Sequence, residues 1–164
     1  WYPNVSAVKF LHESVWPLVK SEFPHSTMTI VGRNPPAWLL DASRSDPGVS
    51  VTGFVDDVRP YMDAASVYVC PIFDGGGTKL KVLDAMAMGK PLVAHPIAME
   101  GIEAVPGTHW IPAEEPRDFA TAIRTLFNDA RLRQHLSRNA RELIRNRYSF
   151  AEIGEMLARR YQQL

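Results

Sequence analysis

Three consecutive glycines, Gly75-Gly76-Gly77, stand between a strand-like run, Val67-Tyr68-Val69-Cys70-Pro71, and a helical run from Thr78 to Met88. Glycines at such a junction leave backbone N–H groups uncovered by side chains. The helix that follows adds its own free N–H groups and the positive end of its dipole. A strand-to-helix turn of this kind favours an anion, and in an α/β chain that anion is most often a phosphate. The plain alternative is an empty loop with Thr78 as a helix N-cap.

The rest of the chain supplies the α/β context. Short β-branched runs at Thr27–Val31, Val49–Thr52, Val67–Pro71, Pro91–His95 and His109–Ile111 alternate with runs of helical period. Ala7, Phe10, Leu11, Ser14, Val15 and Leu18 share one face of a first helix, which Pro17 should kink or break near Trp16. Phe119, Ala122, Ile123, Leu126 and Phe127 line a later helix, with Pro116 suited to its first turn. Leu132, Leu136, Ala140 and Leu143 line the next. Ser149 with Glu152 forms a capping-box pattern, and Tyr148 with Ile153 a staple, ahead of a last helix striped by Ile153, Leu157, Tyr161 and Leu164. This alternation predicts a Rossmann-like parallel sheet with helices on both faces. Ligands in such sheets sit at the carboxyl ends of the strands. The chain opens on a helix with no strand before it and closes on three helices.

At 164 residues the chain has the length of one domain. Eighteen lysines and arginines balance eighteen acidic residues, so electrostatics gives no support for a nucleic-acid partner. The lone Cys70 excludes an internal disulfide and a multi-cysteine metal site, and its strand-like setting predicts a buried, inert thiol. No apolar stretch approaches the roughly 20 residues of a membrane span. Trp in place of Met at position 1 points to an excised fragment, with a cytoplasmic origin as the default.

Around the glycines, several residues invite a role. Lys79 and Lys81 fall in the first helical turn, where cations oppose the dipole unless an anion is bound; solvated surface lysines are the other reading. Asp84 sits in the apolar stretch Val82-Leu83-Asp84-Ala85-Met86 and needs a partner: Lys81 one turn earlier, or a ribose diol. Arg33 closes the first strand and either reaches a nucleotide or is a surface arginine. Gly53-Phe54-Val55 closes the second, where the backbone reads a base edge or Phe54 is core. His95 follows the fourth strand as a capping or core histidine, or as a contact to donor. Asp56 and Asp57 read as caps for the helix after them. The histidines show no ligand spacing, no Asp-x-Asp marks a metal site, and no side chain stands out as a general base.

Gly53-Phe54-Val55-Asp56-Asp57 and the run Gly75-Gly76-Gly77-Thr78-Lys79-Leu80-Lys81-Val82-Leu83-Asp84-Ala85-Met86-Ala87-Met88-Gly89-Lys90-Pro91 resemble the C-terminal half of a GT-B-fold glycosyltransferase of family 4, also called group 1. The resemblance spans nearly the whole chain, and the second run is its specific part. It implies that residues 1–164 form a nucleotide-sugar donor-binding domain, lacking its first strand and an N-terminal acceptor domain. It implies a retaining transfer from a UDP- or GDP-linked sugar to a glycan or lipid-linked acceptor, without a metal or other cofactor, in the cytoplasm or at the inner face of the membrane. Residue by residue, it assigns the diphosphate to Gly75, Gly76, Gly77, Thr78 and Lys79, the ribose to Asp84, and the base and nucleotide to Arg33, Phe54 and Val55. No catalytic residue is assigned.

Gly76 departs from the family pattern, which has a glutamate there to orient the donor sugar. That departure keeps open a non-catalytic nucleotide-binding module. A UDP-sugar 2-epimerase shares the fold, but needs carboxylate acid/base residues for which no matched pair is found. The fragment alone is expected to be inactive, and the stripe on its last helix to be exposed or to pack on another copy.

Overall fold

The computed structural model describes residues 2–75 and 79–161. The expectations for Gly76, Gly77 and Thr78 lie outside that range, as do those for Leu164 and for the side chain of Leu157. In order, the elements are α1 (Tyr2–Phe10), a π-helical turn (Leu11–Val15), α2 (Trp16–Glu22), β1 (Met28–Ile30), α3 (Ala37–Ser45), β2 (Val49–Val51), α4 (Arg59–Ala64), β3 (Tyr68–Cys70), α5 (Leu80–Ala87), β4 (Leu92–Ala94), a 3₁₀ turn (Pro96–Met99), β5 (Ile111–Pro112), α6 (Pro116–Asn128), α7 (Ala130–Arg147) and α8 (Phe150–Tyr161).

All ladders are parallel. β1 pairs with β2, Met28 opposite Val49, and β3-β4-β5 form a second sheet, with Tyr68 opposite Leu92 and Val93 opposite Ile111. Two sheets thus stand where one was expected. Their orders match positions 3-2 and 4-5-6 of the doubly wound arrangement, which places the first strand between them. Among the described residues no strand joins β1 to β3. β5 begins two residues later than expected, because His109 closes a turn by accepting a hydrogen bond from the Val105 amide at 2.9 Å. Pro112 is tolerated in β5 because this strand is an edge.

β4 separates two cores. Val93 faces a cluster of Met28, Val49, Val15, Trp16, Val19 and the α6 face Phe119, Ala122, Ile123 and Leu126. Its neighbours Leu92 and Ala94 face the opposite cluster, with Cys70, Val82, Met86, Trp110 and Ala140. Period-two alternation on the strand therefore puts helices on both faces. α6 buries the face its sequence specifies, with Phe127 half-buried at its margin. Leu136 and Ala140 of α7 are buried, while Leu132 and Leu143 are half-buried.

The first helix departs from its simple period. It neither breaks nor stops before Pro17, but passes through the π-turn into α2. A π-turn inserts one extra residue and rotates everything after it. Val15, Trp16 and Val19 therefore face the core, while Ser14 and Leu18, expected inside, are exposed. On α8, Ile153 and Tyr161 are exposed, as the expected stripe requires, and the Glu152 amide donates to the Ser149 hydroxyl at 3.3 Å.

Candidate functional site at the carboxyl edge of the strands

Parallel pairing brings the carboxyl ends of β1 to β5 to one edge, with the loops that follow them. After β3 the chain runs through Pro71 to Gly75. Phe73 anchors this loop edge-on between Phe10, 6.0 Å between ring centres, and His95 at 6.4 Å. Phe10 in turn rests on the buried Phe119 at 5.6 Å. An aromatic column thus ties the loop to the core. Gly75 takes φ +105 and lies so close to α1 that a Cβ would stand 3.3 Å from Pro3 Cγ. The dihedral favours glycine, and the approach would leave a Cβ a tight fit against Pro3.

The N-terminal turns of α1 and α5 meet at this loop. They enclose a cleft of about 270 Å³ whose lining includes Asn4, Cys70, Gly75, Lys79 and Lys81. α5 opens at Leu80, so Lys79 occupies the N-cap position instead of the first turn, with no side-chain cap of its own. Lys79 Nζ donates to the Gly75 carbonyl at 3.0 Å, and Lys81 Nζ to Asn4 Oδ1 at 2.8 Å. Both acceptors are neutral, and neither lysine has an ion-pair partner among the described residues. Two lysines held by neutral acceptors and the N-terminal turn of α5 therefore face one small cleft, with Asp74 also in its lining, an arrangement suited to a phosphate or diphosphate.

Asp84 lies on the exposed face of α5. Its expected local partner, Lys81, is turned to Asn4 instead, and among the described residues the Asp84 carboxylate accepts no hydrogen bond. It stays available to a ligand. Burial pushes the Tyr68 phenol far above its ordinary range, with the nearby Cys70 and Asp84 adding to the shift. Burial likewise pushes the Cys70 thiol up, against the pull of Lys81 and Lys79, so the thiol stays neutral and packs as an inert core group.

A second cluster sits after β1 and β2. The Gly32 amide donates to the Gly53 carbonyl at 3.1 Å, which ties the two loops together, and Gly53 takes φ +72. The Arg33 guanidinium lies 5.0 Å from the centre of the Phe54 ring. Phe54 is 61% exposed, which overturns its reading as core: an aromatic face and a guanidinium plane are both presented to solvent. Val55 is half-buried. The structure thus joins Arg33 with Phe54, and Gly75 with Lys79, as two clusters on one edge.

His95 acts as a cap, its Nδ1 accepting from the Ile97 amide at 3.3 Å. Asp57 accepts from the Arg59 amide and Nε, both at 2.9 Å, and the Arg59 side chain holds its carboxyl below the usual range. Among the described residues, no three His, Cys, Asp or Glu side chains gather as a metal site. The residue that sequence reasoning passed over is Asn4. The signal was its place in a first helical turn that packs at the strands' carboxyl edge.

A family model described as glycosyl transferases group 1 matches residues 1–129. The chain is 32% identical over 131 residues to alpha-D-kanosaminyltransferase of Streptomyces kanamyceticus, covering 77% of this chain and 33% of that protein. It spans about a third of the length of that relative. Among solved structures, the C-terminal domain of the group 1 glycosyl transferase LpcC from Francisella tularensis matches with TM-score 0.70 and 19% identity, covering 87% of this chain and 80% of that one. HepE from Anabaena, in complex with UDP and glucose, matches with TM-score 0.74 and 20% identity over 92% of this chain and 44% of that one. TarM of S. aureus, in a complex that includes UDP, matches with TM-score 0.76 and 22% identity over 93% of this chain and 32% of that one. At these identities the structures speak to the fold.

Proposed function

The chain belongs to the group 1 glycosyl transferases, and from that premise we propose that it is the donor-binding half of a retaining transferase acting on a nucleotide-sugar. The observation that carries the reading is the cleft where Lys79 and Lys81, with no ion-pair partner among the described residues, lie beside the N-terminal turn of α5. A diphosphate there replaces the neutral Gly75 carbonyl and Asn4 amide as the lysines' acceptor. As the sugar–phosphate bond breaks, negative charge builds on the departing diphosphate, and the N-terminus of α5 and the lysines stabilise it. The amides of residues 75–78 complete the cradle in this proposal.

Asp84, one helical turn beyond Leu80, accepts from the ribose hydroxyls. Arg33 and Phe54 take the base, the ring offering a stacking face and the guanidinium a plane of donors. The base is uracil or guanine; HepE, TarM and GtfA in complex with UDP support uracil. The lysines and the N-terminus of α5 carry the charge neutralisation, so the proposal includes transfer without a metal. An N-terminal half of the full-length protein supplies the acceptor site, for a glycan or lipid-linked acceptor in the cytoplasm. Residues 1–164 alone then bind donor without turnover.

The test is calorimetric titration of the full-length protein with UDP, GDP and ADP, in EDTA. One diphosphate should bind, and Asp84→Ala and Lys79→Ala should each weaken it at least tenfold. Absence of binding by any diphosphate, or binding indifferent to both substitutions, would overturn the assignment.

A further inference from the structure

A second concavity lies at the amino ends of β3 and β4. It is a groove of about 1040 Å³ between the amino ends of β3 and β4, marked by Ser66 and Pro91, and the flank of α7. α7 carries six of the chain's 18 lysines and arginines and a single carboxylate, Glu142. Arg133, Arg138, Arg141 and Arg145 line the groove with Glu142 and with Lys90, which is paired with Asp63 at 3.5 Å, so four arginines face one acid in a chain whose net charge is zero.

Two of these arginines are fixed in place. Arg141 donates to the Met88 carbonyl at 2.7 Å, capping the end of α5. It lies against Gly89, φ +65, where a Cβ would stand 2.2 Å from its Nε, so only glycine admits it. Arg133 donates to the Leu126 and Phe127 carbonyls at the end of α6. Each guanidinium has five N–H donors, and a carbonyl or two leaves the others to be satisfied. Arg138 and Arg145 have no hydrogen-bond or ion-pair partner among the described residues, Glu142 included. From Arg133 to Arg145 the row extends about 18 Å along the helix.

We propose that this groove binds a phosphate-bearing polyanion, such as an oligophosphate or a phosphodiester-linked chain, separately from the donor site. Guanidinium forks match phosphate oxygens in pairs. The occupant must be dense in charge, because four arginines converge with one carboxylate, Glu142, to offset them. A protein partner is the weaker fit: interfaces are anchored by large apolar or aromatic residues, and none of the exposed large hydrophobic side chains lines this groove. A bilayer is weaker still, since the surface is concave and offers nothing to insert.

Inorganic tripolyphosphate is the probe. It is titrated calorimetrically into the Lys79→Ala protein, so that the donor cleft contributes little, at low and at raised salt. Binding is expected, weakening with salt, and reduced at least tenfold by adding Arg138→Gln and Arg145→Gln. Both positions are exposed, so the fold should persist, and circular dichroism checks it. No binding, or binding untouched by the two substitutions, overturns the proposal. So does equal or tighter binding of an oligoglutamate peptide of matched charge, which would make the partner a protein segment. Retention on anionic phospholipid vesicles without tripolyphosphate binding would make it a membrane.

Discussion

At the scale of single residues, the structure shows how a carboxylate is held mainly by neutral donors. The Asp46 carboxylate accepts from Trp16 Nε1 at 2.8 Å and from the Gly48 amide at 2.7 Å. The indole bond is the larger cause, the amide the next, of a pKa held below its ordinary 3.8, with the charges of Lys20 and His12 adding to the shift. Folding therefore favours the ionised form. Its contribution is fully present above the unfolded pKa and is lost as pH falls through the lower folded value. Asp46→Ala leaves the indole N–H of a nearly buried Trp16 without its acceptor, and should cost about 1–2 kcal/mol at pH 7. Urea denaturation of wild type and variant should show that gap at pH 7 and a narrower one below about pH 4. An equal gap at both would mean that packing, not charge, carries the effect. At the cleft beside α5, Lys81 likewise takes a neutral partner, Asn4, which a diphosphate would displace under the proposed function.

At the scale of elements, legibility tracked how local the deciding interaction is. α6 reads off its sequence because one unbroken period fixes its buried face, and Pro116 fixes its start. The structure adds a reciprocal capping box, in which Glu115 and Asp118 satisfy each other's amides, with Glu115 N to Asp118 Oδ2 at 3.0 Å. Asp118→Ala should cost about 0.5–2 kcal/mol, read as a fall in the urea midpoint. A variant as stable as wild type would show that Pro116 alone sets the helix start. The α1–α2 helix was misread because Pro17 signals a disruption without saying which, and the π-turn that answers it shifts every later residue on the face. The strand before the glycines and the helix after them were legible. Asn4 was not, because its bond to Lys81 closes 77 residues of separation. The arginines of α7 are plain in the sequence, but the groove exists only once α7 packs beside the amino ends of β3 and β4.

At the scale of the molecule, the question is whether two sheets and two cores behave as one unit. β1 and β3 share no hydrogen bonds, so the backbone does not couple the sheets. Side chains do. Met28 and Val49 from one sheet and Val93 from the other belong to a single cluster, and β4 carries that cluster on one face and the second cluster on the other. α7 spans both through Leu136 and Ala140. Coupling of this kind predicts a single unfolding transition. Leu126 and Met86 test it, since both are fully buried, one in each cluster. Leu126→Ala and Met86→Ala should each cost about 2–5 kcal/mol. With no shared partners, the double variant should cost their sum to within about 0.5 kcal/mol. Fluorescence and far-ultraviolet dichroism should trace coincident urea curves in all three variants. Two transitions, with Met86→Ala moving one and Leu126→Ala the other, would mean that β4 is a seam between separate units. The cleft proposed to hold the diphosphate would then depend on a joint that opens independently, because Phe10 and Phe119 support its loop from the first core while Cys70 and Val82 line it from the second.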